Sequence, residues 1–380
     1  MFKEKNMKVE ILKDNFKNGL GVVEKIVGKN LSLPILDNVL ISTEDSFLSL
    51  SSTDLETAIK LWILTKIVKK GKVVVPAKFL SSFISLLPNE KITLEEKGQG
   101  LYIECKSFKN QIQGFNPEEF PLIPEFKDSE YLEIDNKKLC QGLSQIVDVA
   151  SPSQSRPEIS GIYFVFSKNS LKIAATDSFR LAEKNITLDS PVKKDFSFIL
   201  PQKPAREIIN ILDGKDGNVK IYFLPNQTMF EFPMKDTSHP QVQIISRLID
   251  GEYPNYEEII PKKFKTHIIL KRDEFLSQIK AASLFSGKIN EVKIKVDADG
   301  KEVQISAQDP DIGKSESSIT AKIEGEPIEV SFNHKFLIDG LLNIKSSEIA
   351  FDMSKEEGPC VLKPVGDASY IYVVMPIKST

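Results

Sequence analysis

Three aspartates, Asp54, Asp177 and Asp309, are the residues of this chain whose type and spacing first invite a chemical role. Intervals of 123 and 132 residues separate them, and each closes a run of alternating apolar residues: Leu48-Ser-Leu-Ser-Ser-Thr, Leu171-Lys-Ile-Ala-Ala-Thr and Val303-Gln-Ile-Ser-Ala-Gln. Catalysis by Thr176 and Asp177, with Arg180 beside them, would have to account for all three copies. A short acidic side chain ending a strand ordinarily caps a turn instead. The histidines His239, His267 and His334 stand singly, and Cys105, Cys140 and Cys360 lie far apart with no metal-ligand spacing. The sequence carries no Gly-rich phosphate loop, nucleophile signature or paired-His zinc motif. No catalytic residue, metal or cofactor is therefore expected.

The elements that must position these aspartates repeat with them. A first helix in each unit has apolar residues at i, i+4, i+7 and i+11: Phe16, Leu20, Val23 and Val27, then Leu139, Leu143, Ile146 and Ala150, then Phe275 and Ile279 with the small Ala282 and Ser286. That spacing buries one face per helix. A second helix begins near Lys78, Lys203 and Lys335, with core positions Leu80, Ile84, Leu87; Ala205, Ile209, Leu212; and Leu337, Leu341, Ile344. A period of about 127 residues (380 divided by three) is long enough for each unit to bury its own core, so it marks repeated domains rather than a solenoid.

Residues 8–12 read as the opening strand and Asp14 to Gly28 as the first helix, with Gly28 and Asn30 as its stop. Strand runs outnumber helices in every unit, so the expected class is α+β: three repeated domains, each with two helices packed on antiparallel sheet. Phe120-Pro-Leu-Ile-Pro124 and the stretch Gly251 to Pro261 read as linkers, giving domains at 1–127, 128–260 and 261–380. Met7-Lys-Val-Glu would itself serve as a start, so the first six residues read as a dispensable extension.

Composition sets the outer bounds. With 380 residues, 41% hydrophobic and 27% charged, the chain reads as a soluble protein of two or three domains. Three sparse cysteines fit a reducing compartment, no apolar run is long enough to span a membrane, and a cytoplasmic location is expected. The net charge of −3 hides an uneven distribution. Basic residues gather on or beside the expected helices: Lys13, Lys17, Lys25 and Lys29; Lys137, Lys138, Lys203 and Arg206; Lys271, Arg272 and Lys280. Repetition could bring such helices onto one basic surface that holds phosphates without reading bases.

Seven motifs then follow one another along nearly the whole chain: Leu33-Pro-Ile-Leu-Asp-Asn-Val-Leu-Ile41, Ser52-Thr-Asp-Leu-Glu56, Val75-Pro-Ala-Lys78, Ser155-Arg-Pro-Glu-Ile-Ser-Gly161, Ala175-Thr-Asp-Ser-Phe-Arg-Leu181, Tyr253-Pro-Asn-Tyr256 and Tyr372-Val-Val-Met-Pro-Ile377. In this order they resemble the bacterial sliding clamp family, the beta subunit of DNA polymerase III. The resemblance implies a head-to-tail homodimer of three-domain protomers, a ring around double-stranded DNA bound without sequence specificity. It implies a processivity subunit with no catalytic residues of its own, which tethers the replicative polymerase.

Carried over residue by residue, Lys29, Lys78, Arg156 and Lys203 are expected to face DNA, and helix placement adds Lys25 and Arg206. The resemblance also implies a peptide groove between the second and third domains. One wall would hold Ile159, Thr176, Ser178, Phe179, Arg180 and Leu181; the linker would supply Pro254, Glu258 and Ile259; Phe336, Val373, Met375, Pro376 and Ile377 would stand opposite. Its implied partners are the polymerase III alpha subunit, the clamp loader, and other polymerases and repair proteins carrying clamp-binding peptides. An apolar groove with few polar groups suits that use, and Met375 adds adaptability. The family commonly has Gly-His where this chain has Ser178-Phe179.

At the implied dimer contact, where an edge strand of domain one meets domain three of the other protomer, fall Phe108, Ile112, Leu284 and Phe285, with Asn110 where an apolar residue would be expected. Two rivals belong to other classes. A monomeric non-specific DNA-binding protein would bind linear and circular DNA alike, and an enzyme using Asp177 and Arg180 would lose turnover on their substitution.

Overall fold

Six helices punctuate the strands among the described residues: α1 (Lys13–Val23), α2 (Ala77–Leu86), α3 (Asn136–Ile146), α4 (Gln202–Leu212), α5 (Arg272–Ser283) and α6 (His334–Asn343). The computed structural model describes residues 6–28, 33–126, 129–153, 155–235, 237 and 239–377. It forms two compact units, one made of residues 1–137 and 207–248, the other of 138–206 and 249–380.

In the first unit, Lys8–Leu12 pairs with Lys66–Lys69 on one side and Lys91–Lys97 on the other. Gly100–Cys105 and Phe108–Ile112 complete a five-stranded antiparallel sheet, and Phe108–Ile112 is its edge. The second sheet of this unit has eight strands, in the order Tyr131–Asp135, Asn218–Leu224, Gln227–Pro233, Pro240–Arg247, Thr57–Leu64, Phe47–Thr53, Asn38–Glu44 and Lys72–Pro76.

Helix α1 buries Phe16, Leu20 and Val23, as its spacing requires, and full burial of a side chain such as Phe16 contributes about 2–3 kcal/mol. The helix stops at Val23, where the Glu24 N–H donates to the Leu20 carbonyl at 2.9 Å, five residues short of the Gly28 expected from sequence. Ile26 and Val27 are still buried beyond it, so the apolar periodicity outlasts the helix because the chain continues along the core. Pro34–Asp37 forms a single 3-10 turn before the Asn38 strand, pinned by the Asn38 side-chain amide donating to the Pro34 carbonyl at 2.8 Å.

The second unit repeats the scheme. Its nine-stranded sheet runs Phe196–Pro201, Gly161–Ser167, Ser170–Thr176, Arg180–Thr187, Tyr370–Val374, Cys360–Pro364, Glu348–Met353, Thr266–Lys271 and Lys322–Gly325. Its four-stranded sheet runs Gly313–Thr320, Glu302–Asp309, Glu291–Asp297 and Ile328–Asn333, so Gly313–Thr320 is an edge. Phe275, Ile279 and Ala282 of α5 and Leu337 and Leu341 of α6 are buried as expected, and Ser286 and Ile344 are buried just past the helix ends. In α4 Ala205 and Leu212 are buried as expected, and the buried position between them is Ile208, with Ile209 half-buried.

The expected class, repeated domains with two helices each packed on antiparallel sheet, is what the chain forms, and in both units a sheet also crosses from one repeat into the next. Thr57–Leu64 pairs with Pro240–Arg247, and Arg180–Thr187 pairs with Tyr370–Val374. Backbone groups at the repeat boundaries are thereby satisfied by strand pairing rather than by solvent. Among the described residues no helix is long and apolar enough to cross a membrane.

Candidate functional site

The Thr176–Arg180 turn shows why an aspartate recurs at strand ends. The Asp177 Oδ1 accepts the backbone N–H groups of Phe179 at 2.9 Å and Arg180 at 3.0 Å, while the Thr176 hydroxyl donates to the Arg180 carbonyl at 2.7 Å. Asp54 does the same for Glu56 and Thr57, at 3.1 and 2.7 Å, and Asp309 for Asp311 and Ile312, at 2.8 and 3.1 Å. All three carboxylates are turn caps, so Asp177 is occupied in holding the backbone. Ser178 sits at φ 78°, in the left-handed region where Gly costs least, so Ser178 carries backbone strain at the position where the family commonly has Gly.

The turn lifts Phe179 into solvent, 62% exposed, and aims Arg180 across to α6. The Arg180 Nε donates to Asp177 Oδ2 at 3.0 Å, Nη2 donates to the Asp148 carbonyl at 3.0 Å, and Nη1 meets the Asp339 carboxylate. The guanidinium lies 4.8 Å from the centre of the Phe336 ring, which also stacks on Phe179 at 6.3 Å. Phe336 is fixed from behind, because the buried Tyr372 hydroxyl donates to its carbonyl at 2.8 Å. The Met375 N–H donates to the Phe179 carbonyl at 2.8 Å, and the Ile377 N–H to that of Ser331 at 2.8 Å, which holds the last described residues along this face.

Ile159, Leu181 and Val373 are buried in one cluster with Ala174, Ile199, Tyr253, Tyr256 and Val361. They form the packed base under the turn. Met375, Pro376 and Ile377 are half-exposed above it. The linker is latched to the sheet: Tyr253 stacks on Tyr163 at 4.6 Å, and the Tyr256 hydroxyl donates to Glu183 at 2.7 Å. On that linker Pro254 is half-buried, Ile259 is exposed, and Glu258 accepts from the Asn255 side chain at 2.7 Å. The structure thus gathers Phe179, Arg180, Phe336 and Met375 at one point over the cluster holding Ile159, Leu181 and Val373. Sequence reasoning missed Asp148, Asp339 and Tyr372; of these, Asp339 was within reach, three residues beyond Phe336 on the same helical face.

The basic residues divide. Lys78 in the first turn of α2 and Lys203 in the first turn of α4 are exposed. Arg206 is exposed and paired with Asp148 at 2.5 Å. Lys25 is exposed but lies in the turn after α1, because that helix ends two residues earlier than its assigned position required. Arg156 bonds the Ser178 hydroxyl at 3.0 Å and Glu158 at 3.1 Å. Lys29 lies outside the described residues. Of the other helix lysines, Lys13 is buried, while Lys137 and Lys138 are paired with Asp216 at 2.6 Å and Asp189 at 2.9 Å, which thins the expected basic surface.

At the expected dimer contact, Phe108 is 44% and Leu284 71% exposed. Ile112 is buried within its own chain and Phe285 is half-buried. No group of His, Cys, Asp and Glu among the described residues is arranged to hold a metal ion.

Family models match the chain in three consecutive stretches: the N-terminal domain of the DNA polymerase III beta subunit at residues 7–124, its central domain at 133–255 and its C-terminal domain at 257–378. The Beta sliding clamp of Bacillus subtilis strain 168 is 29% identical, over 98% of this chain and all of that protein. Among solved structures, the DNA polymerase sliding clamp from Bacillus subtilis superposes with a TM-score of 0.93 at 28% identity, over 99% of this chain and all of that one. The DnaN sliding clamp from Bartonella birtlesii, bound to griselimycin, superposes with a TM-score of 0.91 at 27% identity, over 98% of this chain and all of that one. With its repeated turns, shared sheets and three consecutive domain matches, the chain belongs to the bacterial sliding clamp family, the beta subunits of DNA polymerase III.

Proposed function

We infer that two copies of this chain close head to tail into a ring around duplex DNA and tether the replicative polymerase, as its non-catalytic processivity subunit. The observation that carries the reading is the pattern of shared sheets. Two junctions between successive repeats are sealed by strand pairing inside the chain, at Thr57–Leu64 with Pro240–Arg247 and at Arg180–Thr187 with Tyr370–Val374. The corresponding strands of the third junction, Gly313–Thr320 and Phe108–Ile112, are both sheet edges. A second copy supplies what each edge lacks, and two copies give six domains and a closed set of junctions. Domains at 1–127, 128–260 and 261–380 belong to this reading.

Processivity then comes from topology. Lys25, Lys29, Lys78, Arg156, Lys203 and Arg206 are taken to contact phosphates loosely and without base readout. The face around Phe179, Arg180, Phe336 and Met375 is taken as the groove for short peptides of the polymerase alpha subunit, the clamp loader and repair proteins; griselimycin, bound by the Bartonella relative, is a ready probe of it.

Sedimentation and DNA retention test the reading together. A species of twice the 42.7 kDa chain mass that stays on nicked circular DNA and slides off once the DNA is linearised supports it. A monomer that binds linear and circular DNA alike overturns it in favour of the simple DNA-binding protein.

A further inference from the structure

Two of the cations taken to contact phosphates are bonded to the groove turn or to its support. The Arg156 Nη1 donates to the Ser178 hydroxyl at 3.0 Å, and its Nε to the Glu158 carboxylate at 3.1 Å. The loop that carries Arg156 is closed by the Ser151 N–H donating to the Ile159 carbonyl at 3.0 Å, and Ile159 is buried in the cluster under the turn. Arg206 pairs with the Asp148 carboxylate at 2.5 Å, while the Asp148 carbonyl accepts from Arg180 Nη2 at 3.0 Å. Asp148 thus stands between a cation of α4 and the guanidinium that lies over Phe336. A second tie fixes that spacing: the Gln202 side chain, at the start of α4, donates to the Val147 carbonyl at 2.6 Å.

Both guanidiniums can be reached from solvent, with 52% and 45% of their side chains exposed. Ser178 offers Arg156 a neutral hydroxyl, whereas a phosphate oxygen offers a charge-assisted and often bidentate contact, which is the stronger. The Asp148 side chain is itself 53% exposed, so water screens its pair with Arg206 and holds it weakly. Losing these bonds reaches the groove. Ser178 stands at φ 78°, a conformation that costs a non-glycine residue and must be held by its surroundings, and the Arg156 bond is part of that hold. An Asp148 carboxylate released by Arg206 competes for the Arg180 guanidinium, whose other ties are to Asp177, Asp339 and the Phe336 ring.

Resting on the ring reading, we propose that Arg156 and Asp148 are positioning residues of the peptide groove, and that duplex DNA inside the ring loosens the groove by drawing Arg156 off Ser178 and Arg206 off Asp148. Affinities for DNA and for a groove ligand are then coupled negatively, and each ligand weakens the other by the same factor. Two half-exposed contacts place that factor at about 5, the low end of such couplings. The hydroxyl that Arg156 bonds belongs to Ser178, and the Gly that the family commonly has there could not supply it. In return, a filled groove keeps Arg156 and Arg206 on their protein partners. A ring carrying its partner therefore grips DNA with fewer phosphate contacts and slides more freely.

Titration calorimetry of griselimycin on the full-length protein, first alone and then with a saturating short linear duplex at low salt, tests the coupling. Fluorescence anisotropy of a labelled duplex in the same samples reports that DNA is bound. Wild type should bind griselimycin about 5-fold more weakly with the duplex present, and the duplex about 5-fold more weakly with griselimycin present. Ser178→Gly keeps both cations but has no hydroxyl for Arg156, so the factor should fall, and Ser178→Gly combined with Arg206→Ala should bring it to one. Arg206→Lys, which keeps a charge opposite Asp148, should retain more of the coupling than Arg206→Ala. A purely structural role would shift griselimycin affinity in each variant but leave the factor between the two conditions unchanged, and that result overturns the coupling. So does a wild type that holds the duplex with its griselimycin affinity unaltered, and in both cases the ring reading stands. A wild type that is monomeric or binds no duplex overturns the ring reading, and the coupling with it.

Discussion

The guanidinium of Arg180 lies 4.8 Å above the Phe336 ring while also bonding Asp177, Asp339 and the Asp148 carbonyl. One side chain thus joins the repeated turn, helix α6 and the 147–149 turn beneath the exposed Phe179. Arg180→Ala should reduce griselimycin affinity by about 10–100-fold, since it removes the cation–π contact and frees Phe336 to move. It should also cost about 1–3 kcal/mol of stability, because Asp177 keeps only its backbone partners while Asp339, 41% exposed, returns to solvent. Arg180→Lys should recover only part of both, as an ammonium cannot serve three directions in one plane. Titration calorimetry and denaturant unfolding of the three proteins check this, and unchanged affinity in the alanine variant would remove Arg180 from the groove.

The proposed loose phosphate contact makes a different demand on Lys78 and Arg206. Lys78 is exposed at the start of α2, whereas Arg206 is held by Asp148 at 2.5 Å. For DNA association measured over a range of salt, Lys78→Ala should reduce the slope of log K against log salt by about 1. Arg206→Ala should reduce it by less, because DNA must first compete with Asp148. A steep loss from any single substitution would contradict a shared, diffuse interface.

Acid sensitivity should trace in part to His334. It is the first residue of α6, and burial together with the neighbouring Lys335 holds its pKa below the ordinary 6.5. Helix N-terminal N–H groups disfavour its charge as well. A histidine whose folded pKa is depressed takes up its proton more readily when unfolded, so stability rises with pH through the window below 6.5 and levels off above it. Wild type should therefore lose more melting temperature than His334→Gln between pH 7.5 and pH 5.5. Equal losses in the two proteins would exclude the residue.

The triplication was legible because it is written in local terms: apolar spacing at Phe16, Leu139 and Phe275, and an aspartate ending three strands. The capping role of those aspartates was legible for the same reason, since an Asx turn needs only the next few residues. The crossing of sheets between repeats was not. Arg180–Thr187 pairs with Tyr370–Val374 some 190 residues later, and nothing in either strand marks its partner. Of the partners of Arg180, Asp148 was hidden likewise, whereas Asp339 could be reached from Phe336 on the same helical face. Helix lysines could be counted but not their neutralisation, because Asp216 and Asp189, which pair with Lys137 and Lys138, come from distant loops.

Gly340 offers a test in which two effects oppose each other. It lies inside α6, where Ala is favoured over Gly by about 1 kcal/mol. A Cβ at this position would meet the Tyr372 ring at 2.6 Å, closer than real contacts allow. Tyr372 cannot give way cheaply, being fully buried and tied through its hydroxyl to the Phe336 carbonyl at 2.8 Å. Gly340→Ala should therefore destabilise by about 1–3 kcal/mol overall and shift Phe336, lowering griselimycin affinity without touching an exposed groove residue. Gly19→Ala in α1 makes the comparison: its Cβ would meet the Cδ1 of Ile63 at 2.6 Å, the far end of a flexible side chain that can rotate aside. That variant should cost less and leave griselimycin binding unchanged. If unfolding curves show Gly340→Ala to be stabilised, helix propensity outweighs the contact and Tyr372 is not the rigid back wall of the groove.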